Sequence, residues 1–341
     1  MKLRRFVIVP LTLAISMIWM PYISKAGLNS PVNLENPRVV PIFGQFSSTQ
    51  VSPGAGWSGF LYSPRIVFSA GHSHFRFDQD GNRIPEAPPF ITVGLPNSSA
   101  KSTQGRVKVI KTFVPSDFKR SPVGSVNDFA VLVLEKDLVQ IKPAKLLNSE
   151  IESELVSSRA EVVFHGYGEY QDRCAAGQSN PCPALSSDHS RNTSELPRIN
   201  RINLAPKSDF PSLQGANLAA VEKEVLVSNH QGCSGDSGGP ITTTYKGEAL
   251  YLGQGLNGFK VYACGAGNGL KNVKDPEAFG LFSPVYKHLD LIKEAEDFIN
   301  AQNLGMNSKS KKQISIKCIK GKSMKTFSGL NPKCPKGYRK K

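Results

Sequence analysis

Six consecutive residues, Gly235-Asp236-Ser237-Gly238-Gly239-Pro240, hold the most reactive arrangement in this chain. A serine hydroxyl is a poor nucleophile at neutral pH, so it works only where an imidazole takes its proton and a carboxylate orients and stabilises that imidazole. The flanking glycines permit a tight turn in which nothing crowds the hydroxyl. The backbone N–H groups of Gly235 and Ser237 can then face one carbonyl oxygen and stabilise the negative charge that develops on it. Acyl transfer is the chemistry such a turn predicts. A Gly-rich hairpin loop is the competing reading of the six residues taken alone.

The hexapeptide resembles the nucleophile loop of the trypsin-like, chymotrypsin-fold serine proteases, and two further matches follow in that family's order, His then Asp then Ser. Phe68-Ser69-Ala70-Gly71-His72 is similar to the histidine motif, a strand feeding a turn of small residues that leaves the imidazole facing the cleft; His74 is a nearby decoy. Asn127-Asp128-Phe129-Ala130-Val131-Leu132-Val133-Leu134 is similar to the aspartate motif, an acid just before a buried strand. Without its two companions Asp128 would read as a solvated strand cap. Gly166-Tyr167-Gly168 is similar to the family's Gly-Trp-Gly turn. The resemblance spans roughly residues 39–302 and implies a serine endopeptidase acting on protein or peptide chains, with no cofactor and no metal. In it His72 is general base and then acid, Asp128 orients it, and Ser237 forms the acyl-enzyme.

The same resemblance implies further roles. Cys233, four residues before Ser237, stands where the family has a cysteine, and Cys264 is its implied partner across the specificity pocket. Trp57 and Ser73 occupy the two positions of a family disulfide beside the histidine, so both halves of that bridge are gone together. Gln231 falls at the base of the primary specificity pocket, with Gly232 beside it and Leu256-Asn257-Gly258 in the wall. Gln231 supplies no carboxylate, so an uncharged or polar side chain is expected there rather than Lys or Arg. Cleavage after Arg38 in Pro37-Arg38-Val39-Val40 would free a Val39 amine to pair with Asp236 and organise the oxyanion turn. In the alternative, Arg38 is a basic residue of a flexible leader.

These residues need elements to hold them. From Pro41 to Pro284 short β-rich runs, such as Arg65–Phe68, Phe129–Leu134, Ala160–Phe164 and Ile241–Tyr245, are broken by Gly, Pro, Ser and Asn. That predicts an all-β barrel or sandwich; the resemblance narrows it to two six-stranded antiparallel β-barrels. Only near the end does the period become helical, where Val285, Leu289, Ile292 and Ile299 form an apolar stripe opposite Glu294, Glu296 and Asp297. One C-terminal amphipathic helix is expected to close the body. Residues 169–197, with Cys174 and Cys182, read as a long surface insertion stapled by a local disulfide.

The chain of 341 residues is 39% hydrophobic and 20% charged, enough to bury a full core. Residues 1–26 have a signal peptide's pattern: Lys2, Arg4 and Arg5, an apolar stretch to Met20, then Ser24-Lys25-Ala26. Pro10 and Pro21 and the short apolar length argue against a transmembrane span. A secreted chain is therefore expected, with residues 27–38 as a propeptide. Six cysteines, an even number, suit disulfides in an exported protein, and no CxxC or HxxxH spacing favours zinc. The net charge of +15 suggests a nucleic-acid binder until it is located. Twelve positive charges lie in residues 309–341 and four in the first 26, leaving −1 for residues 27–308. The body is close to neutral, which argues against an envelope or nucleic-acid binder whose tail is the point.

Residues 303–341 form a separate basic tail with Cys318 and Cys334. It has too few large apolar groups for an unaided core, so a disulfide-closed loop is the most structure expected. Attachment to an anionic cell envelope, or unspecifically to nucleic acid outside the cell, competes with a solvated tail that has no partner. A catalytically silent binding protein on the same scaffold, held at the envelope by this tail, is the alternative function; the presence of all three triad residue types argues for the enzyme.

Overall fold

In the computed structural model, which describes residues 31–45, 56–75, 90–121, 124–168, 194–209, 226–228, 235–259, 279–310, 314–329 and 332–341, the run Ala130 to Leu134 is buried at every residue. Successive strand side chains point to opposite faces, so a strand is buried throughout only when both faces are covered. Two β units provide the cover.

The first unit is a closed antiparallel barrel of β1 (Val39–Gln45), β2 (Trp57–Ser63), β3 (Ile66–Ser69), β4 (Phe90–Val93), β5 (Val107–Phe113) and β8 (Ala130–Leu134), in the order β1-β2-β3-β8-β5-β4. A small hairpin, β6 (Lys119–Ser121) with β7 (Gly124–Val126), precedes β8. Alternation along β8 divides it between two cores. Ala130, Leu132 and Leu134 pack with Ile42, Leu61 and Val67, whereas Phe129, Val131 and Val133 belong to a cluster with Phe60, Phe68, Phe164 and Tyr251. Burying each of the Val, Leu and Phe side chains contributes about 1.5–3 kcal/mol, so one strand welds the barrel to its neighbour.

The second unit is a seven-stranded sheet. After β9 (Lys145–Leu146) come β10 (Glu161–Gly166), β11 (Arg198–Asn203), β12 (Leu226–Ser228), β13 (Pro240–Tyr245), β14 (Glu248–Phe259) and β15 (Phe279–Pro284). Its order is β11-β10-β13-β14-β15-β12, with β9 added in parallel to β14. Of the two expected barrels, one is closed; among the described residues the end strands β11 and β12 of the second unit do not pair.

Among the described residues two α-helices are present where the sequence reading expected one. α1 (Ser149–Ser157) was not anticipated, although its signals are ordinary: the Asn148 side chain accepts from the Ile151 N–H at 2.9 Å, and Glu150 and Glu152 occupy the positive first turn. α2 (Leu289–Ser310) buries Ile292 and Ala295 and runs past Gln302 to Ser310. Leu289, placed on its apolar stripe by periodicity, is 48% exposed at the first helical position.

The tail is also more ordered than a disulfide-closed loop. β16 (Ile314–Lys320), β17 (Ser323–Gly329) and β18 (Arg339–Lys340) form a three-stranded antiparallel sheet in the order β17-β16-β18. Cys318 and Cys334 are joined across a sequence separation of 16. Closing a loop of that size stabilises by about 3 kcal/mol, which stands in for a core. Cys174, Cys182, Cys233 and Cys264 lie outside the described residues, as do residues 1–30.

Candidate active site

Three segments meet where the two β units join. β3 ends at Ser69 and passes through Ala70 into a single 3₁₀ turn, Gly71–Ser73, that projects His72. Gly71 is required there, because a Cβ would lie 2.9 Å from the Phe118 ring and 3.2 Å from Asp128 Oδ1. Asp128 sits just before β8, after Asn127, whose φ of 51° reverses the chain. Asn tolerates this left-handed backbone better than most residues. Ser237 comes from the turn that leads into β13.

The Asp128 carboxylate, 1% exposed, is held twice by one residue. Its Oδ1 accepts the His72 backbone N–H at 2.8 Å, and its Oδ2 lies 2.6 Å from His72 Nδ1. A carboxylate can only accept, so Nδ1 carries the proton and Nε2 of the neutral ring is an acceptor. Nε2 lies 2.9 Å from Ser237 Oγ, within reach of the serine proton. The three side chains form one line of hydrogen bonds from a buried anion to a half-buried hydroxyl.

The turn bearing Ser237 is pinned from both units. Ser58 of β2 donates its backbone N–H to the Ser237 carbonyl at 3.1 Å and its Oγ to the Gly235 carbonyl at 3.1 Å. From the other side the Gly238 N–H reaches the Gly255 carbonyl of β14 at 3.0 Å. Gly235 and Gly238 take φ values of 87° and 80°, which explains their identity. Asp236, 7% exposed, turns inward, and its Oδ1 accepts the Gly168 N–H at 2.7 Å. Added Cβ atoms at Gly166 and Gly168 would come within 1.9 and 2.5 Å of that oxygen, so the Gly166-Tyr167-Gly168 turn exists to admit this carboxylate.

Two residues that sequence reasoning missed complete the frame. One is Ser58. The other is Gln254 of β14, wholly buried, whose amide donates to the Ser69 carbonyl and, at 3.2 Å, to the Asp128 carbonyl. It ties the second unit to the segments that carry the histidine and the aspartate. Its signal was an amide inside the apolar run Tyr251-Leu252-Gly253-Gln254, where a polar group must find buried partners.

His74 is fully buried and makes no hydrogen bond from either ring nitrogen among the described residues. Burial, reinforced by His72 and opposed by Asp128, pulls it down to about 3, so it stays neutral. The Trp57 ring meets it edge-on at 5.6 Å, so an aromatic contact braces the His72 turn. His288, also drawn by burial to about 3, donates to or accepts from Ser283 Oγ at 2.8 Å and stacks on Phe129 at 4.3 Å.

Gln231 and Gly232 lie outside the described residues. Leu256 lies at a bulge in β14, and pairing with β15 resumes after it, Asn257 opposite Leu281 and Gly258 opposite Gly280. Val39 is fully buried in β1 of the uncut chain, and Arg38 donates to the Leu61 and Tyr62 carbonyls at 3.0 Å and to the Lys142 carbonyl at 2.8 Å. Residues 31–38 are therefore packed on the body rather than forming a loose leader. A separate cavity of about 740 Å³, bordered by Asn36, Arg38, His165, Thr242 and Leu250, touches no residue of the Asp128–His72–Ser237 line. Among the described residues no group of three or more His, Cys, Asp or Glu side chains converges as a metal site requires, and no helix is long and apolar enough to cross a membrane. Neither the family models nor the curated proteins compared with the chain match it.

Proposed function

We propose that this chain is a secreted serine endopeptidase of the trypsin-like kind. The observation that carries the reading is the unbroken hydrogen-bond line Asp128–His72–Ser237, built from segments 56 and 165 residues apart in sequence. Ser237 Oγ attacks the carbonyl carbon of a peptide bond while His72 Nε2 takes its proton, and Asp128 stabilises the imidazolium that results. The N–H groups of Gly235 and Ser237 receive the tetrahedral oxyanion. His72 returns the proton to the leaving amine, and water, activated by the same ring, then frees Ser237 from the acyl group.

In this reading the seven-stranded sheet is the counterpart of the family's second barrel. Cys233 pairs with Cys264 beside a pocket formed by Gln231, Gly232 and the Leu256–Gly258 segment, and an uncharged or polar side chain enters it. The signal-like first 26 residues support export.

Labelling with a fluorophosphonate tests the proposal. Wild type should be modified at Ser237, and Ser237→Ala should not. A folded wild type that resists labelling would move the assignment to a silent binding protein on this scaffold.

A further inference from the structure

The positive charge of this protein is concentrated on a folded module rather than spread along a loose tail. From Ile314 to Lys341 there are nine Lys and Arg residues and no Asp or Glu. Among the described residues none of the nine takes part in an ion pair within the chain. Like charges at this density repel, so holding them on a three-stranded sheet costs stability that the Cys318–Cys334 bond offsets. A ligand that brought negative charge would recover that cost.

The register tells where the cations point. Residues directly opposite share a face, so Cys318, Lys325 and Lys340 lie on one side of the sheet, with Ile316 and Phe327. Lys317 and Thr326, Ile319, Met324 and Arg339 lie on the other. Lys322 stands at the β16–β17 turn, and Lys333 and Lys336 on the segment returning to β18. Charge therefore surrounds the module. A flat bilayer could meet only one of these faces, and Met324 is the one large apolar side chain that the described tail leaves well exposed. Among the described residues of the tail the two aromatic rings are turned to each other rather than laid out as a stacking platform for bases: Phe327 and Tyr338 meet edge to face at 6.1 Å, and the Lys320 ammonium lies 6.0 Å from the Tyr338 ring.

We propose that residues 314–341 dock a flexible, linear acidic polymer of the cell envelope, a sugar or polyol chain bearing phosphodiester or carboxylate groups, which wraps around the module. The inference concerns the tail alone and does not depend on the chemistry at Ser237.

Binding is measured on the full chain carrying Ser237→Ala, with poly(glycerol phosphate), polygalacturonate, oligothymidylate and phosphatidylglycerol vesicles as probes. Either or both of the first two should bind more tightly than the others, and which one does identifies the source of the negative charge. With about four ions released, affinity should fall roughly fifty-fold between about 50 and 200 mM salt. Lys317→Gln, Lys325→Gln, Arg339→Gln and Lys340→Gln together should weaken binding at least about tenfold at low salt, whereas Arg at the three Lys positions should preserve it within about twofold. The proposal is overturned by no binding to either acidic polymer at low salt, by tighter binding to the oligonucleotide or the vesicles, or by unchanged affinity in the glutamine variant.

Discussion

Asp128 is the anchor of the Asp128–His72–Ser237 line, 1% exposed where the His72 side chain is 20% exposed. It fixes His72 through both the ring and the main chain, at 2.6 and 2.8 Å, so Asp128→Asn should keep the fold and spoil the tautomer. An amide donor opposite Nδ1 would leave Nε2 carrying the proton and unable to take one from Ser237. We expect kcat to drop on the order of 10⁴-fold with KM little changed, measured on a peptide substrate; a loss confined to KM would remove Asp128 from the mechanism. His74 gives a separate, pH-dependent prediction. Its folded value of about 3 lies below the ordinary 6.5, so below 6.5 the unfolded chain binds a proton that the native chain refuses. Stability is thus present above pH 6.5 and is lost as pH falls towards 3, by roughly 1.5 kcal/mol between pH 6.5 and about 5 from this residue alone. His74→Phe should flatten the urea-derived stability profile over that interval, and an unaltered slope would mean that the ring is hydrated. The choice of His72 over His74 was legible in the small residues that precede it. The bracing contact from Trp57 was legible only in part: the resemblance set Trp57 beside Ser73, but only the path of β2 past the turn after β3 brings its ring onto His74.

At the scale of elements, β14 links the two β units. Gln254 spans from the second unit to the carbonyls of Ser69 and Asp128, so the two halves of the site are registered by one side chain. Gln254→Leu would strand buried carbonyls and should cost about 1–3 kcal/mol in a denaturant titration. Because the stranded groups border Asp128, kcat should fall more than KM; equal kcat in the folded variant would reduce Gln254 to packing alone. The β runs and α2 were readable from period and punctuation, and β8 from its uninterrupted apolar residues. Its continuous burial could not reveal that alternate residues serve different cores, since alternation is invisible when both faces are apolar. α1 was missed because one buried leucine, Leu155, gives too little periodicity over nine residues, even with Asn148 as a clear cap. The tail sheet was missed for the opposite reason. Its stability comes from a covalent cross-link, which apolar content does not report.

Taken as a whole, the molecule is strapped together by residues 31–38, and that bears on the expected cleavage after Arg38. Residues 31–38 cross from one β unit to the other. Val32 bridges to Arg198, and the Ile199 N–H donates to the Pro31 carbonyl at 3.1 Å on the sheet. Arg38 then anchors to the Leu61 and Tyr62 carbonyls of the barrel strand β2. Burial lowers the Arg38 guanidinium below its usual range, yet three carbonyls offset the desolvation. The bond between Arg38 and fully buried Val39 is closed to an activating protease, which needs an extended, accessible chain. Meanwhile Asp236, the proposed partner of a new amine, already accepts the Gly168 N–H at 2.7 Å, and His72 already reaches Ser237. The intact strap should therefore coexist with activity. Protein labelled by fluorophosphonate and sequenced from its amino terminus should still carry Pro37-Arg38 joined to Val39. Recovery of labelled chains that all begin at Val39 would show instead that the strap opens, is cut, and releases the amine to Asp236.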